Sequence, residues 1–404
     1  MKILFATRHL PSLQKGQAGA KTSYAICEFL SRTEEVHLLA FGTESEIESL
    51  QEYEMRIFAS WQYFPVTQVT RLLGALKKPW APLNVAVRAQ SSYGRRLDQL
   101  LHEHNFDVVI FDHTGMLQYV RNVPETVVTV ASLHDILTQG WERRAAYAKN
   151  VLWRVVLNAE KHRTMRWEQR AFASTDIIFP LSHKDRRLME NMVQLNGSLM
   201  VIQPWIDSSV LNKSGKRNPR KDSLLFWGAM DRVENVDAAR WIADEILPRI
   251  REQVPTAHLY IAGSKSDSLG QAFRRREDVS LLGFIDDIEE MMGSMEIALL
   301  PLRLGAGIKV KTLECMAAAM PVVTSDVGAE GIDAQDGRDF LVADNAECVA
   351  NKVILLLRDK ANAKKMGESG RKFIEEMYNF DEKVEAIRER MLRLTAQKRS
   401  TGRR

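Results

Sequence analysis

Short β-rich apolar runs alternate with amphipathic stretches almost from one end of the chain to the other, and a polypeptide with that rhythm has few ways to bury itself. Parallel strands need a crossover between them, usually a helix, so the expected class is α/β. In the first half the strands are expected at Ile3–Ala6, Val36–Phe41, Asp107–Phe111, Val127–Ser132, Asp176–Leu181 and Leu199–Gln203, with helical patterns at Ser23–Leu30 and over the long segment Trp141–Phe172. A second series is expected at Leu224–Trp227, His258–Ala262, Val279–Leu282, Glu296–Pro301, Pro321–Ser325 and Phe340–Val342. After its first strand, Val236, Ala239, Ile242, Ala243, Ile246 and Leu247 recur at near-helical spacing, and Pro248 ends the pattern. The stretch DSSVLNKSGKRNPRKD between the two series is polar and aperiodic, and it reads as a linker.

A chain of 404 residues is long enough for two cores. The expected domains are 1–205 and 223–380, joined by 206–222 and followed by a helix and basic tail over 381–404 that packs back on the first domain. Two doubly wound Rossmann-like domains facing each other across a cleft are the simplest arrangement, with ligands beyond the carboxyl ends of the strands.

Apolar residues make up 45% and charged residues 27% of the chain, the composition of a globular protein. No stretch approaches the roughly 20 apolar residues that span a bilayer. The opening MKILFATRHL reads as a first strand and not as a signal peptide, so the chain is expected in the cytoplasm. Cys27, Cys315 and Cys348 lack metal or redox spacing and are expected to be buried thiols. Basic residues cluster between Arg143 and Arg170, interleaved with Trp153 and Trp167, and again among Arg388, Arg390, Arg393, Lys398, Arg399, Arg403 and Arg404. Each cluster reads either as a solvated helix face or as a contact with an anionic surface. Peripheral association with the inner face of an anionic membrane suits the first cluster, and nucleic acid is not an expected partner.

The stretch PLRLGAGIKVKTLECMAAAMPVVTS carries the most chemistry. A strand ending at Pro301 is followed by Gly305 and Gly307, then by a helix expected to run to about Ala319. Glycines let backbone approach a bulky anion, and the amides of a helix N-terminus favour phosphate oxygens. Lys309 and Lys311 lie in the first turns and Arg303 precedes them, while Glu314 shares a helix face with Lys311. The segment reads as a diphosphate cradle with a carboxylate placed for ribose hydroxyls, or as a tight turn with a surface Lys–Glu pair. The dinucleotide G-x-G-x-x-G and the P-loop GK[ST] are both absent.

These residues, with their neighbours, resemble glycosyltransferase family 4 of the GT-B enzymes. The resemblance covers most of the second half. LLFWGAMDRVENVDAARWIADEILPRI matches a strand, a Gly-led turn with an Asn and a long helix, and PTAHLYIAG follows it. LLGFIDDIEEMM matches the segment that lines a nucleobase pocket, PLRLGAGIKVKTLECMAAAMPVV matches the donor helix, and VGAEGI matches a Gly-x-Glu-Gly turn. The resemblance implies retaining transfer of a sugar from a nucleoside diphosphate, without cofactor or metal, to a saccharide or lipid-linked acceptor in cell-surface polysaccharide or lipopolysaccharide assembly. It places Gly228, Arg232, Phe284, Ile285, Arg303, Gly305, Gly307, Ile308 and Lys309 at the donor, with Glu314 on the ribose and Lys311 among the catalytic residues. The family's E-x7-E motif has its first Glu where this chain has Ala306, and the usual Arg and Lys after the Gly-led turn are absent. Diphosphate charge then falls to Arg232, Arg303, Lys309 or Lys311.

In the first half the resemblance is looser. It retains the glycine loop Gly16 to Gly19 and the pair His134 and Asp135 after a strand. His134 is expected to hydrogen-bond a hydroxyl of the donor sugar, and Gly16 and Gly19 read either as close approach to the leaving phosphate or as an ordinary loop. Front-face displacement needs no protein nucleophile. The competing functions are an inactive GT-B scaffold, favoured by the missing Glu, and an epimerase or phosphorylase on the same fold.

Overall fold

Strands buried on both faces of a parallel sheet read as continuous apolar runs, and the first strand, KILFAT, is of this kind. The computed structural model describes every residue except 14–17, 49, 196, 208–209, 212–216, 286 and 402–404, and gives backbone alone at 271 and 272. By contacts the chain divides into Met1–Trp205 with Phe380–Arg404, and Ile206–Asn379.

The first unit holds β1 (Lys2–Thr7), β2 (Glu35–Gly42), β3 (Ser60–Pro65), β4 (Val108–Asp112), β5 (Val128–Leu133), β6 (Ile177–Pro180) and β7 (Ser198–Leu199). They pair in the order β3-β2-β1-β4-β5-β6-β7, parallel throughout. Strand periodicity sorts the core into two layers. Leu4, Ala6, Leu39, Phe41, Val109 and Phe111 fill one face of the sheet, and Ile3, Phe5, Leu38, Ala40, Val108 and Ile110 fill the other. The helix Phe380–Thr401 completes the second layer with Val384, Ile387 and Met391, at helical spacing. Its cations serve as anchors for that helix. Arg388 donates to Glu34 at 2.7 Å, Arg390 to Ser198 at 2.8 Å and Lys398 to Asp176 at 2.8 Å, and Arg399 pairs with Asp107. Arg403 and Arg404 lie outside the described residues.

Two expectations for the first half are corrected and one strand is added. Trp141–Phe172 is two helices, Leu137–Tyr147 and Val151–Ala173, because Asn150 caps the second by accepting from Trp153 N at 3.1 Å. The buried Glu168 carboxylate binds the start of the first helix, accepting from Leu137 N at 2.7 Å and Thr138 N at 3.2 Å. The last expected strand shrinks to Ser198–Leu199, and β3 was not foreseen, because SWQYFP is an exposed edge strand with no apolar run.

The second unit holds β8 (Ser223–Trp227), β9 (His258–Ala262), β10 (Val279–Gly283), β11 (Ile297–Leu300), β12 (Val322–Thr324) and β13 (Leu341–Val342), again all parallel, in the order β10-β9-β8-β11-β12-β13. The helix after β8 is Val233–Trp241, then a π-type turn Ile242–Ile246, then Leu247–Gln253. Pro248 does not end the helix: it directly follows the π-type turn, where Leu247 N donates five residues back to Ile242 O, and this register shift falls where proline has no N–H to give. Residues 217–220 of the expected linker are bonded to the second unit. Asn218 N donates to Gly293 O at 3.1 Å, Arg220 N to Ser294 O at 2.9 Å, and the Arg217 guanidinium to Met295 O at 2.7 Å. Cys27 and Cys315 are buried as expected, whereas Cys348 is exposed in the first turn of the helix Ala346–Arg358.

The fully buried Met391 makes the terminal helix part of the first unit's core. Met391→Ala is expected to destabilise that unit by about 2–4 kcal/mol, read from the urea midpoint of its unfolding transition.

Candidate functional site

Because the strands of the second unit run parallel, their carboxyl ends lie along one edge of its sheet, and the turns leaving β8, β10, β11 and β12 carry the candidate residues. After β11, Gly305 and Gly307 have φ of 113° and 70°, a region that strains any residue with a Cβ. The helix Val310–Ala317 follows, shorter than expected because Ala319 turns left-handed at φ 53°. Lys309 closes the turn on itself. Its Nζ donates to Ala306 O at 3.1 Å and to Gly307 O at 2.5 Å, with Glu330 of the Gly-x-Glu-Gly turn 3.9 Å away.

Lys311 points the other way. Its Nζ is buried and donates to Trp227 O at 2.9 Å and Asn235 Oδ1 at 2.8 Å, while Asn235 Nδ2 donates to Ala229 O at 2.8 Å. A Cβ at Gly228 would stand 2.7 Å from both side-chain nitrogens, so glycine is what lets the β8 turn close over them. One ammonium therefore joins the β8 turn, the Asn235 helix and the glycine-turn helix. Burial first, then the charge of Arg232, pull its pKa down to about 7. Glu314 is buried one turn further along, and Thr312 fixes the helix by donating to Gly328 O at 2.9 Å. Ile308 is buried beneath the glycine turn.

The remaining predicted donor residues are less convergent. Arg303 is engaged bidentately by Asp237 at 3.0 and 2.7 Å and lies over the Trp241 ring at 4.6 Å. Arg232 begins the helix Val233–Trp241, 3.8 Å from Glu234. Phe284 is exposed just beyond β10, Ile285 is half-buried, and Asp287 caps the next helix by accepting from Glu290 N at 2.8 Å.

In the first unit, His134 directly follows β5 and its Nε2 lies 2.9 Å from Oδ1 of the fully buried Asp112. The other Asp112 oxygen accepts from Thr7 Oγ1 at 2.9 Å and Ser23 Oγ at 2.7 Å. Burial alone would raise this carboxyl, but the charge and hydrogen bond of His134 and the Ser23 hydroxyl outweigh it, leaving Asp112 below the usual range. The serine donates to the carboxylate and not to imidazole, so this is no Ser–His nucleophile pair. His113 stacks on His134 with ring centroids 3.8 Å apart, holds a strained φ of 72°, and is kept neutral first by burial and then by His134. Asp112, His113 and His134 present atoms close enough for one metal ion, yet the hydrogen bonds from Thr7, Ser23 and His134 already occupy the Asp112 oxygens. Gly19 backs the cluster, since a Cβ there would meet His134 Nδ1 at 3.0 Å. Gly16 lies outside the described residues.

Asp112, His113, Asn235 and Glu330 were not predicted as site residues. The signal that marked His134, a polar residue straight after a buried strand, also marks Asp112 and His113. Asn235 and Glu330 belong to motifs already noted, but only the packing shows what each touches.

Residues 221–359 match the family model for glycosyl transferases group 1. Similar solved structures include sucrose-phosphate synthase from Thermosynechococcus elongatus, 13% identical with a TM-score of 0.74 over 98% of this chain and 100% of that one. TarM from S. aureus, crystallised with fondaparinux, alpha-GlcNAc-glycerol and UDP, is 12% identical with a TM-score of 0.67 over 98% and 100%. HepE from Anabaena in complex with UDP-glucose is 14% identical with a TM-score of 0.62 over 98% and 100%. The fold is GT-B. Among curated proteins, an uncharacterized 44.6 kDa protein in the cps region of Klebsiella pneumoniae is 23% identical over 165 residues. That alignment spans 39% of this chain and 42% of the relative.

The buried Lys311 sets a pH dependence. Between a folded pKa of about 7 and an unfolded value of about 10.4 the unfolded chain binds the extra proton, so stability rises with pH across that window. Urea unfolding at successive pH values from neutral to alkaline is expected to show this rise in the second unit and to lose it in Lys311→Met.

Proposed function

We propose that the chain is a retaining glycosyltransferase of family 4, which takes a sugar from a UDP-sugar or related nucleoside-diphosphate sugar and passes it to a saccharide or lipid-linked acceptor. The observation that carries this reading is the Gly305-x-Gly307 turn at the start of the helix Val310–Ala317, with Lys311 and Glu314 on that helix. Backbone amides at the turn and the Lys311 ammonium stabilise charge that grows on the leaving diphosphate, so they act most strongly in the transition state. Glu314 accepts the ribose hydroxyls. Glu330, beside Lys309, supplies a carboxylate next to the turn where Ala306 offers none. Arg303, held by Asp237, acts as a strut for the helix carrying Asn235, and the diphosphate charge falls mainly to Lys311 and the amides.

The UDP bound in the TarM structure and the UDP-glucose bound in the HepE structure support a uridine donor, and the cps location of the Klebsiella pneumoniae relative supports polysaccharide assembly. Neither cofactor nor metal is required by this mechanism. No helix among the described residues is long and apolar enough to cross a membrane.

Calorimetric titration with UDP, and transfer or hydrolysis assays with UDP-, GDP- and ADP-glucose, test the reading. UDP is expected to bind, and Glu314→Ala to weaken it about tenfold, equivalent to roughly 1.4 kcal/mol. UDP affinity should fall as pH rises above about 7, because bound phosphate favours the charged form of Lys311. His134→Ala should lower transfer while leaving UDP affinity unchanged. Unaltered affinity in Glu314→Ala would refute the ribose assignment, and binding without turnover of any sugar nucleotide would favour the scaffold reading.

A further inference from the structure

The helix Gln68–Lys77 in the first unit is turned the wrong way for a helix of a water-facing surface. Val69, Leu72, Leu73 and Leu76 recur at the spacing of one helix face, and they are between 49% and 67% exposed. Gly74 is the buried residue of this helix, and a Cβ there would lie 2.4 Å from Ala86 O. The helix therefore rests on the chain beneath through its glycine, and its apolar ridge faces outward. Trp80, just past its end, is 73% exposed.

A second apolar surface lies on the helix Val151–Ala173, where Val151, Leu152, Trp153, Val155 and Val156 are between 52% and 78% exposed. The stripe of Leu152, Val155, Val156 and Ala159 continues at three- and four-residue steps into Arg163, Arg166 and Arg170. Those arginines line a cavity of about 670 Å³ together with Lys78, Trp80, Arg121 and Trp167. Glu160, which is not among the lining residues, pairs with Arg163 at 2.8 Å, so the positive charge of the cavity rests on Lys78, Arg121, Arg166 and Arg170. Arg163 ties the two surfaces together by donating to Pro79 O at 3.0 Å.

We propose that this face of the first unit seats on an anionic bilayer, with the two apolar surfaces entering the interfacial region and a lipid phosphate held in the basic cavity. Apolar ridges beside cations are the pattern of interfacial helices. Charge decides the occupant. A second copy of the chain packed isologously on this face would bring the same cations against one another, whereas anionic headgroups neutralise them. A free phosphate would fill the cavity but leave the ridges in water. The proposal does not depend on sugar transfer.

Cosedimentation of the full chain with vesicles tests it, comparing phosphatidylcholine alone with phosphatidylcholine containing roughly one third phosphatidylglycerol. Binding to the anionic vesicles is expected to be at least about tenfold tighter, and to weaken with added salt. The double variant Leu72→Ser with Leu76→Ser should lose about tenfold or more in partitioning. Arg166→Glu with Arg170→Glu should abolish the preference for phosphatidylglycerol. All four positions are exposed, so circular dichroism and melting should match the parent. Equal binding to both vesicle types, or unchanged binding by both double variants, would overturn the proposal. So would a stable dimer in sedimentation velocity that Leu72→Ser with Leu76→Ser dissociates, since the face would then belong to a second copy.

Discussion

Every strand in both sheets runs parallel to its neighbours, and the rest of the structure depends on that constraint. A parallel strand cannot return by a tight turn, so each is followed by a crossover, and the crossovers cover both faces of the sheet. The carboxyl ends of the strands in one sheet then share one edge. In the second unit this gathers the turns after β8, β10, β11 and β12, and in the first it gathers Thr7, Asp112 and His134 from the ends of β1, β4 and β5. Chemistry-bearing residues far apart in the chain meet because the topology leaves them few other places.

Within each unit one buried ionisable group organises its surroundings. Lys311 binds a strand-end carbonyl and the Asn235 side chain, and burial makes its charge easy to lose until an anion arrives. Asp112 collects two hydroxyls and an imidazole, and those donors hold its charge against burial. The two solutions differ in sign and consequence. The carboxylate is satisfied by fixed neighbours, whereas the ammonium has two neutral acceptors and therefore favours a ligand that brings negative charge.

How far the sequence could be read follows from what each feature requires. The buried strands and the glycine turn were legible because burial forces apolar runs and because two glycines before a helix leave a local mark. The edge strand SWQYFP escaped because it buries nothing, and the break at Asn150 escaped because an N-cap looks like any other polar residue inside a helical pattern. Arg303 illustrates the same limit in the site. Its type and position suit a phosphate, and only the structure shows that Asp237, 66 residues away in sequence, holds its guanidinium. The C-terminal cations likewise suggested an anionic partner, and the structure spends four of them on Glu34, Asp107, Asp176 and Ser198.

The sequence by itself determined the α/β class, the two strand series and the residues of the glycine turn, since these follow from local periodicity and local backbone freedom. Only the tertiary structure decided which charges remain to act. A cation's role depends on the partners that the fold brings within reach, and those partners lie at sequence separations on which no periodicity reports. The outward ridge of Val69, Leu72, Leu73 and Leu76 is the clearest case. Its helical spacing is visible in the chain, but the Gly74 contact with Ala86 is what turns that ridge away from the core.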